Sequence, residues 1–108
     1  MIDETKVTTR GQVQVNEIEE LAAQGCRMLI NNRPDGEAPD QPLSDDLQAE
    51  AQRHGMSYRH IPVVPGQAND TDARAFAEAI RQSDGPVVAF CRTGGRAAAL
   101  QKMARQGD

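Results

Sequence analysis

A short apolar strand that runs through a glycine-containing turn straight into a helix leaves a chain few ways to fold. Residues 85–99, GPVVAFCRTGGRAAA, have that form. Pro86 can only open a strand, Val87 to Phe90 form an apolar run of strand length, and Ala97 to Leu100 with Met103 are strong helix formers. Between the two lies Cys91-Arg92-Thr93-Gly94-Gly95-Arg96. Glycines let the backbone take positive φ and curl, so that successive N–H groups point inward as an anion-binding nest. The helix that follows adds its own unsatisfied N–H groups and positive dipole end at the same spot.

A thiol at that place is expected to ionise readily. A free cysteine titrates near about 8.5, and cysteines at helix N-termini beside arginine fall to about 3.5–7.5. Cys91 is therefore the candidate nucleophile. The alternative is a small buried apolar residue that ends a strand, which is the commoner fate of a free cysteine.

The remaining chain gives the strand its surroundings. Its 108 residues suffice for one core and one domain, 1–108. With three aromatic residues and no Trp, that core must come from Val, Ile, Leu, Ala and Met. A formal charge of -4 argues against a nucleic-acid or anionic-membrane surface. Two cysteines make no disulfide framework and suit a reducing compartment. With no apolar run longer than a strand and a polar N-terminal stretch, the expected location is the cytoplasm.

In chain order, Lys6 to Val15 suits a short edge strand broken at Gly11, and Asn16 with Glu19 forms a capping-box pattern that predicts a helix from Asn16 to Gln24, closed by Gly25. Cys26 to Asn32 reads as a buried strand, with Cys26 at the end away from the usual ligand side and so assigned to packing. The turn-rich stretch Asn31 to Pro42 follows that strand's C-terminal end, where α/β proteins build their sites. Arg33, Asp35 and Glu37 are thus candidates to face the Cys91 loop, or else solvated turn residues.

Ser44 is expected to cap a helix running to about His54, and Tyr58 to Val64 to form a third strand ending at Pro65-Gly66. One histidine inside that strand, His60, suits packing better than general-base work, and no second histidine stands at metal-ligand spacing. Asn69 or Asp70 caps a helix from about Thr71 to Gln82. Alternating strands and helices imply an α/β fold of three layers, a mostly parallel sheet flanked by helices.

The runs GCRMLINNRPDGE, YRHIPVVPG and GPVVAFCRTGGRAA together resemble the beta-lactamase-hydrolase-like family with a phosphatase-like domain, also known as the DUF442 sulfurtransferase family. The resemblance covers about Gly11 to Met103. It implies a fold similar to dual-specificity phosphatases, with a rhodanese-like active-site loop in which a cysteine accepts a sulfane sulfur as a persulfide. Some relatives carry this domain fused to a persulfide dioxygenase of metallo-β-lactamase fold, and here such a partner is expected to act in trans.

Two departures from the phosphatase pattern favour sulfur. Cysteine-dependent phosphatases resemble one another in placing five residues between cysteine and arginine, and here there are four. They also protonate the leaving group with an aspartate, at a place similar to that held here by Pro65. Thiolates and sulfite leave more easily than alkoxides and need no such acid.

The expected enzyme is thus a sulfurtransferase in which Cys91 attacks thiosulfate or a low-molecular-weight persulfide and passes the sulfur to a thiol or cyanide. Arg96 is expected to orient the small anionic donor, and Thr93, Gly94 and Gly95 to line the cradle. Arg92 either joins Arg96 or faces solvent, and the Thr93 hydroxyl either donates to the sulfur or merely suits the turn. Arg33 and Asp35 either complete the rim or pair with each other. No cofactor or metal is expected. A cysteine-dependent phosphatase and a non-catalytic anion-binding or redox-sensing module stay open as alternatives.

Overall fold

The computed structural model describes residues 2–106. Four strands, β1 (Val7–Arg10), β2 (Met28–Asn31), β3 (Ser57–His60) and β4 (Val87–Phe90), form one sheet in the order β1-β4-β2-β3, and every neighbouring pair is parallel. Four helices connect or follow them: α1 (Ile18–Ala23), α2 (Ser44–Arg53), α3 (Asp70–Gln82) and α4 (Gly95–Gln106). The three-layer α/β arrangement expected from the sequence is present, and the sheet is parallel throughout.

The two faces of the sheet separate by strand alternation. Met28, Ile30, Val87 and Ala89 pack with Phe76, Ala77 and Ile80 of α3 and Ala97 and Leu100 of α4. Leu29, Val88 and Phe90 point the other way, to Ile18 and Leu21 of α1 and Leu47 and Ala51 of α2. Both central strands, β2 and β4, are buried at every position, as strands covered on both faces must be.

Because all four strands run the same way, all four exits lie along one edge, which is where open parallel sheets build their sites. Cys91 leaves β4, the loop from Asn32 leaves β2, residues 61–66 leave β3, and Gly11 leaves β1. The exits are tied by main-chain bonds: Asn32 N–H donates to the Phe90 carbonyl at 2.8 Å, Val63 N–H to the Asn32 carbonyl at 3.0 Å, and Gln12 N–H to the Arg92 carbonyl at 3.2 Å.

Several boundaries differ from the expectation. The capping box of the first helix uses Gln14 and Glu17 rather than Asn16 and Glu19. The Glu17 carboxylate accepts the Gln14 N–H at 2.7 Å, and a 3₁₀ turn over Val15–Glu17 precedes α1. Strand β3 stops at His60 instead of running to Val64, because Pro62 has no N–H to give a ladder. Asn69 caps α3 as expected, its side chain accepting the Asp72 N–H at 2.9 Å. Ser44 does not cap α2. Leu43 holds the cap position without a side-chain bond, and the Asp35 carboxylate reaches across from the preceding loop to accept the Ser44 N–H at 2.8 Å.

No helix among the described residues is long and apolar enough to cross a membrane, and no group of three His, Cys, Asp or Glu residues is placed to hold a metal ion.

Candidate active site

Cys91 sits at the floor of the strand-exit edge, where β4 stops and α4 has not yet begun. Gly94 makes the turn possible: it adopts φ +100°, and a Cβ there would lie 3.3 Å from the Arg10 carbonyl carbon. Gly95 was expected to share the curl, but it is not in the left-handed region and opens α4 into free space. One glycine is needed for conformation, and the other starts the helix.

The turn aims its N–H groups at the sulfur. Gly94 N–H donates to Cys91 Sγ at 3.1 Å. Burial pushes against ionisation of this thiol, but it is outweighed by the backbone N–H groups of Ala97, Thr93, Arg96 and Gly94, so Cys91 titrates below the ordinary cysteine value. Two of these donors belong to the loop and two to the first turn of α4, where the dipole also favours an anion. Thr93 contributes its main-chain N–H; its side chain is exposed and its hydroxyl bonds to no described residue.

The second thiol, Cys26, behaves oppositely. It is buried before β2 and donates to the Met28 carbonyl at 3.2 Å; burial pushes its titration up against the Met28 and Val88 backbone bonds. The same element thus serves packing in one place and holds an anion in the other, because only one of them faces convergent N–H groups.

Charge at the rim is organised by Glu37. Its carboxylate accepts from Arg96 Nη1 at 2.7 Å and Nη2 at 2.9 Å, and from Arg33 Nε at 2.9 Å. Arg96 Nη1 also donates to the Val63 carbonyl at 2.9 Å, which ties the Cys91 loop to the exit of β3. The Arg96 and Arg33 side chains keep 12% and 5% of their exposure, and that of Glu37 keeps 22%. Arg96 holds the Glu37 carboxyl below its usual range, against some desolvation and with help from Arg33. Glu37 in turn raises Arg96, opposed by burial and aided by the Cys91 thiolate.

Arg33 is fixed from three sides. Its Nη1 donates to Gln12 Oε1 at 2.9 Å, its main-chain N–H to Asn31 Oδ1 at 2.8 Å, and its carbonyl contacts His60 Nε2 at 2.9 Å. Asn31 itself is held by the Tyr58 hydroxyl at 3.0 Å, and that hydroxyl lies 2.7 Å from Ser44 Oγ. Arg33 and Asp35 do not pair with each other, and Asp35 is turned to the N-terminus of α2 instead of the rim. Gln12, Glu37 and the Val63 carbonyl belong to the framework that sequence reasoning either passed over or left among possibilities.

Above the loop opens a cleft of about 910 Å³, lined by Val63, Pro65, Ala68 and Ala99 on its apolar side and by Glu37, Arg92 and Arg96 among its charged residues. Arg92, Thr93, Gly95 and Arg96 of the Cys91 loop line the cleft, and Cys91 itself retains 1% exposure. Arg92 projects outward and its guanidinium has no hydrogen-bond or ion-pair partner among the described residues.

Comparison with known proteins places this arrangement. A beta-lactamase hydrolase-like protein of Xylella fastidiosa is 37% identical over 103 residues, covering 95% of this chain and 24% of its own length. The chain therefore spans about a quarter of the curated relatives it matches. A crystal structure from Neisseria meningitidis, described as a candidate phosphatase, superposes with a TM-score of 0.81 at 30% identity, over 92% of this chain and 69% of that one. Tk-PTP, in a glycine-to-alanine variant, shares the fold with a TM-score of 0.68 at 20% identity, over 100% of this chain and 72% of its own. The family model described as "Beta-lactamase hydrolase-like protein, phosphatase-like domain" matches residues 3–107, and the chain belongs to that family.

Proposed function

We propose that the domain is a sulfurtransferase that works by a ping-pong route through a Cys91 persulfide. The observation that carries this reading is the supply of acids around the thiol. Among the residues lining the cleft Glu37 is the one carboxylate, and two guanidiniums hold it ionised. An alkoxide leaving a phosphate ester needs a proton donor. Pro65, which lines the cleft, stands where the resemblance to dual-specificity phosphatases puts the acid, while Asp70 and Asp72 lie in the first turn of α3 outside the lining. Thiolates and sulfite leave without one. The near-complete burial of Cys91 favours a slim terminal sulfur over a phosphoryl group with three equatorial oxygens.

In the first half-reaction the Cys91 thiolate attacks the outer sulfur of a persulfide, R–S–SH. The S–S bond breaks, its electron pair leaves on R–S⁻, and Cys91–S–SH remains. With thiosulfate the leaving group is sulfite. In the second half an acceptor thiolate attacks the outer sulfur and Cys91 departs as the thiolate, so no net oxidation occurs. The N–H groups of Thr93, Gly94, Arg96 and Ala97 that stabilise the thiolate stabilise it again as the leaving group. A persulfide dioxygenase that consumes the product is the kind of partner this chemistry implies.

The second reading is a cysteine-dependent phosphatase. Likeness favours it over sulfur transfer: the family bears a phosphatase-like name and the Neisseria relative is described as a candidate phosphatase. It would use the same thiolate and cradle, and differs in needing the acid that the cleft does not offer.

Intact-protein mass after incubation with thiosulfate or glutathione persulfide separates the two, run beside p-nitrophenyl phosphate hydrolysis on the same sample. A gain of one sulfur, removed by cyanide and absent in Cys91→Ser, is expected. Cys91-dependent phosphate release with no sulfur adduct would instead establish the phosphatase.

A further inference from the structure

The two loop arginines are not equivalent. Arg96 is committed: Glu37 binds it through both Nη atoms, the Val63 carbonyl takes a further bond, and the Cys91 thiolate faces it. Glu37 cancels its charge toward the cleft, and Arg33 is engaged by Glu37 and Gln12. Arg92 lines the same cleft with no described partner, so the charge presented to an entering ligand is that of Arg92.

The cleft is also lined by apolar residues, Val63, Pro65, Ala68 and Ala99. The cleft is open, and its volume of about 910 Å³ is far more than a small inorganic anion fills. An inorganic sulfur dianion would leave most of it empty and gain nothing from the apolar wall. A carbon chain ending in one carboxylate would cover the wall and place its charge on a planar fork suited to it.

We infer that Arg92 recognises a carboxylate on the sulfur carrier, so that the site prefers small organic persulfides and thiols bearing a carboxylate over inorganic sulfur anions. This rests on the sulfurtransferase reading for the reaction, but the carboxylate site can be tested without it. Iodoacetate and iodoacetamide alkylate the same thiolate and differ in carrying a carboxylate or a neutral amide. The ratio of their second-order rates at Cys91 therefore reads carboxylate recognition directly.

Arg92→Gln is expected to lower the iodoacetate-to-iodoacetamide ratio about tenfold, the size of one charge-assisted hydrogen bond, with Arg92→Lys falling between. In parallel, sulfur loading from the persulfide of 3-mercaptopropionate is expected to exceed that from 2-mercaptoethanol and from thiosulfate in kcat/KM, with the preference lost in Arg92→Gln. A ratio unchanged by Arg92→Gln, or no labelling of Cys91 by either reagent, overturns the carboxylate site whether or not sulfur is transferred. A ratio that falls as expected while no persulfide loads Cys91 upholds the site and sinks the sulfurtransferase reading.

Discussion

Replacing Glu37 by Gln tests whether the rim is held by one carboxylate. Glu37 joins the loop after β2 to the loop after β4 through three charge-assisted hydrogen bonds, two to Arg96 and one to Arg33. Glutamine can accept from one of these guanidiniums but brings no charge, so two arginine side chains with 5% and 12% exposure keep uncompensated positive charge. Breaking a buried ion pair costs about 3–5 kcal/mol. Glu37 itself is exposed, its side chain keeping 22%, so water screens much of the interaction, and the expected loss is about 1–2 kcal/mol, or a fall in Tm on the order of 5–10 °C.

The pH dependence gives the sign. The Glu37 carboxyl titrates below the ordinary value of 4.5 in the folded protein, chiefly through the Arg96 bond. Its contribution is complete above that ordinary value and is lost as pH falls through the folded value. Urea unfolding of the wild type and Glu37→Gln is therefore expected to differ by the full amount at pH 7 and to converge as the solution is made more acid than pH 4.5. A difference under about 0.5 kcal/mol at neutral pH, or one independent of pH, would refute the clamp.

The other predictions concern the loop itself. Because Cys91 titrates below the ordinary thiol value of 9.0, its alkylation by iodoacetamide is expected to reach half its plateau rate at lower pH than free cysteine, and an unshifted profile would contradict the cradle. By the same linkage, wild type should gain stability relative to Cys91→Ser as pH rises from the folded thiol value toward 9.0, measurable by denaturant unfolding at a series of pH values. Gly94→Ala forces a Cβ into the left-handed region and to 3.3 Å from Arg10, so a loss of about 1–2 kcal/mol is expected, whereas Gly95→Ala, with open space around it, should be neutral or stabilising by up to about 1 kcal/mol; equal effects in thermal unfolding would contradict the assignment of the turn. Pro65→Asp puts a carboxyl on the cleft wall and is expected to raise hydrolysis of phenyl phosphate, whose phenoxide needs a proton, more than that of p-nitrophenyl phosphate, whose leaving group does not; no gain with either would refute the missing acid as the bar to phosphatase chemistry.

The strand-turn-helix around Cys91 was legible in the sequence because its signals are local: apolar run, glycines and helix formers lie within fifteen residues, though which of the two glycines makes the curl was not. The alternation of strands and helices likewise implied a parallel sheet. The partners of the charged loop residues were not legible, since they come from three other strand exits. Arg33, Asp35 and Glu37 lie within one turn-rich stretch, and composition gives each the same chance of facing Cys91. Only the fold separates them, sending Asp35 to the N-terminus of α2 and Glu37 to Arg96. Gln12 gave no signal at all, because its bond to Arg33 crosses from the exit of β1 to that of β2. The capping box moved by two residues for a similar reason: Val13 is fully buried, and its place fixes where the chain can enter the first helix.

A common edge for four parallel strands would let the same floor serve either of the two chemistries weighed for this site. The thiolate, its N–H cradle and the clamp through Glu37 come from β4, α4 and the exit of β2, and they serve any reaction that passes through a covalent cysteine adduct. What differs between sulfur and phosphoryl transfer is the leaving group, and the exit of β3 is where the wall beside that group is made. There the main chain is already committed: Val63 gives its N–H to Asn32 and its carbonyl to Arg96. The side chains at Pro65 and beyond remain free to vary without loosening the clamp. The reaction can thus be set at the lip of the cleft while the floor stays the same, and that cleft is lined by Pro65 and by Arg92, which has no partner among the described residues.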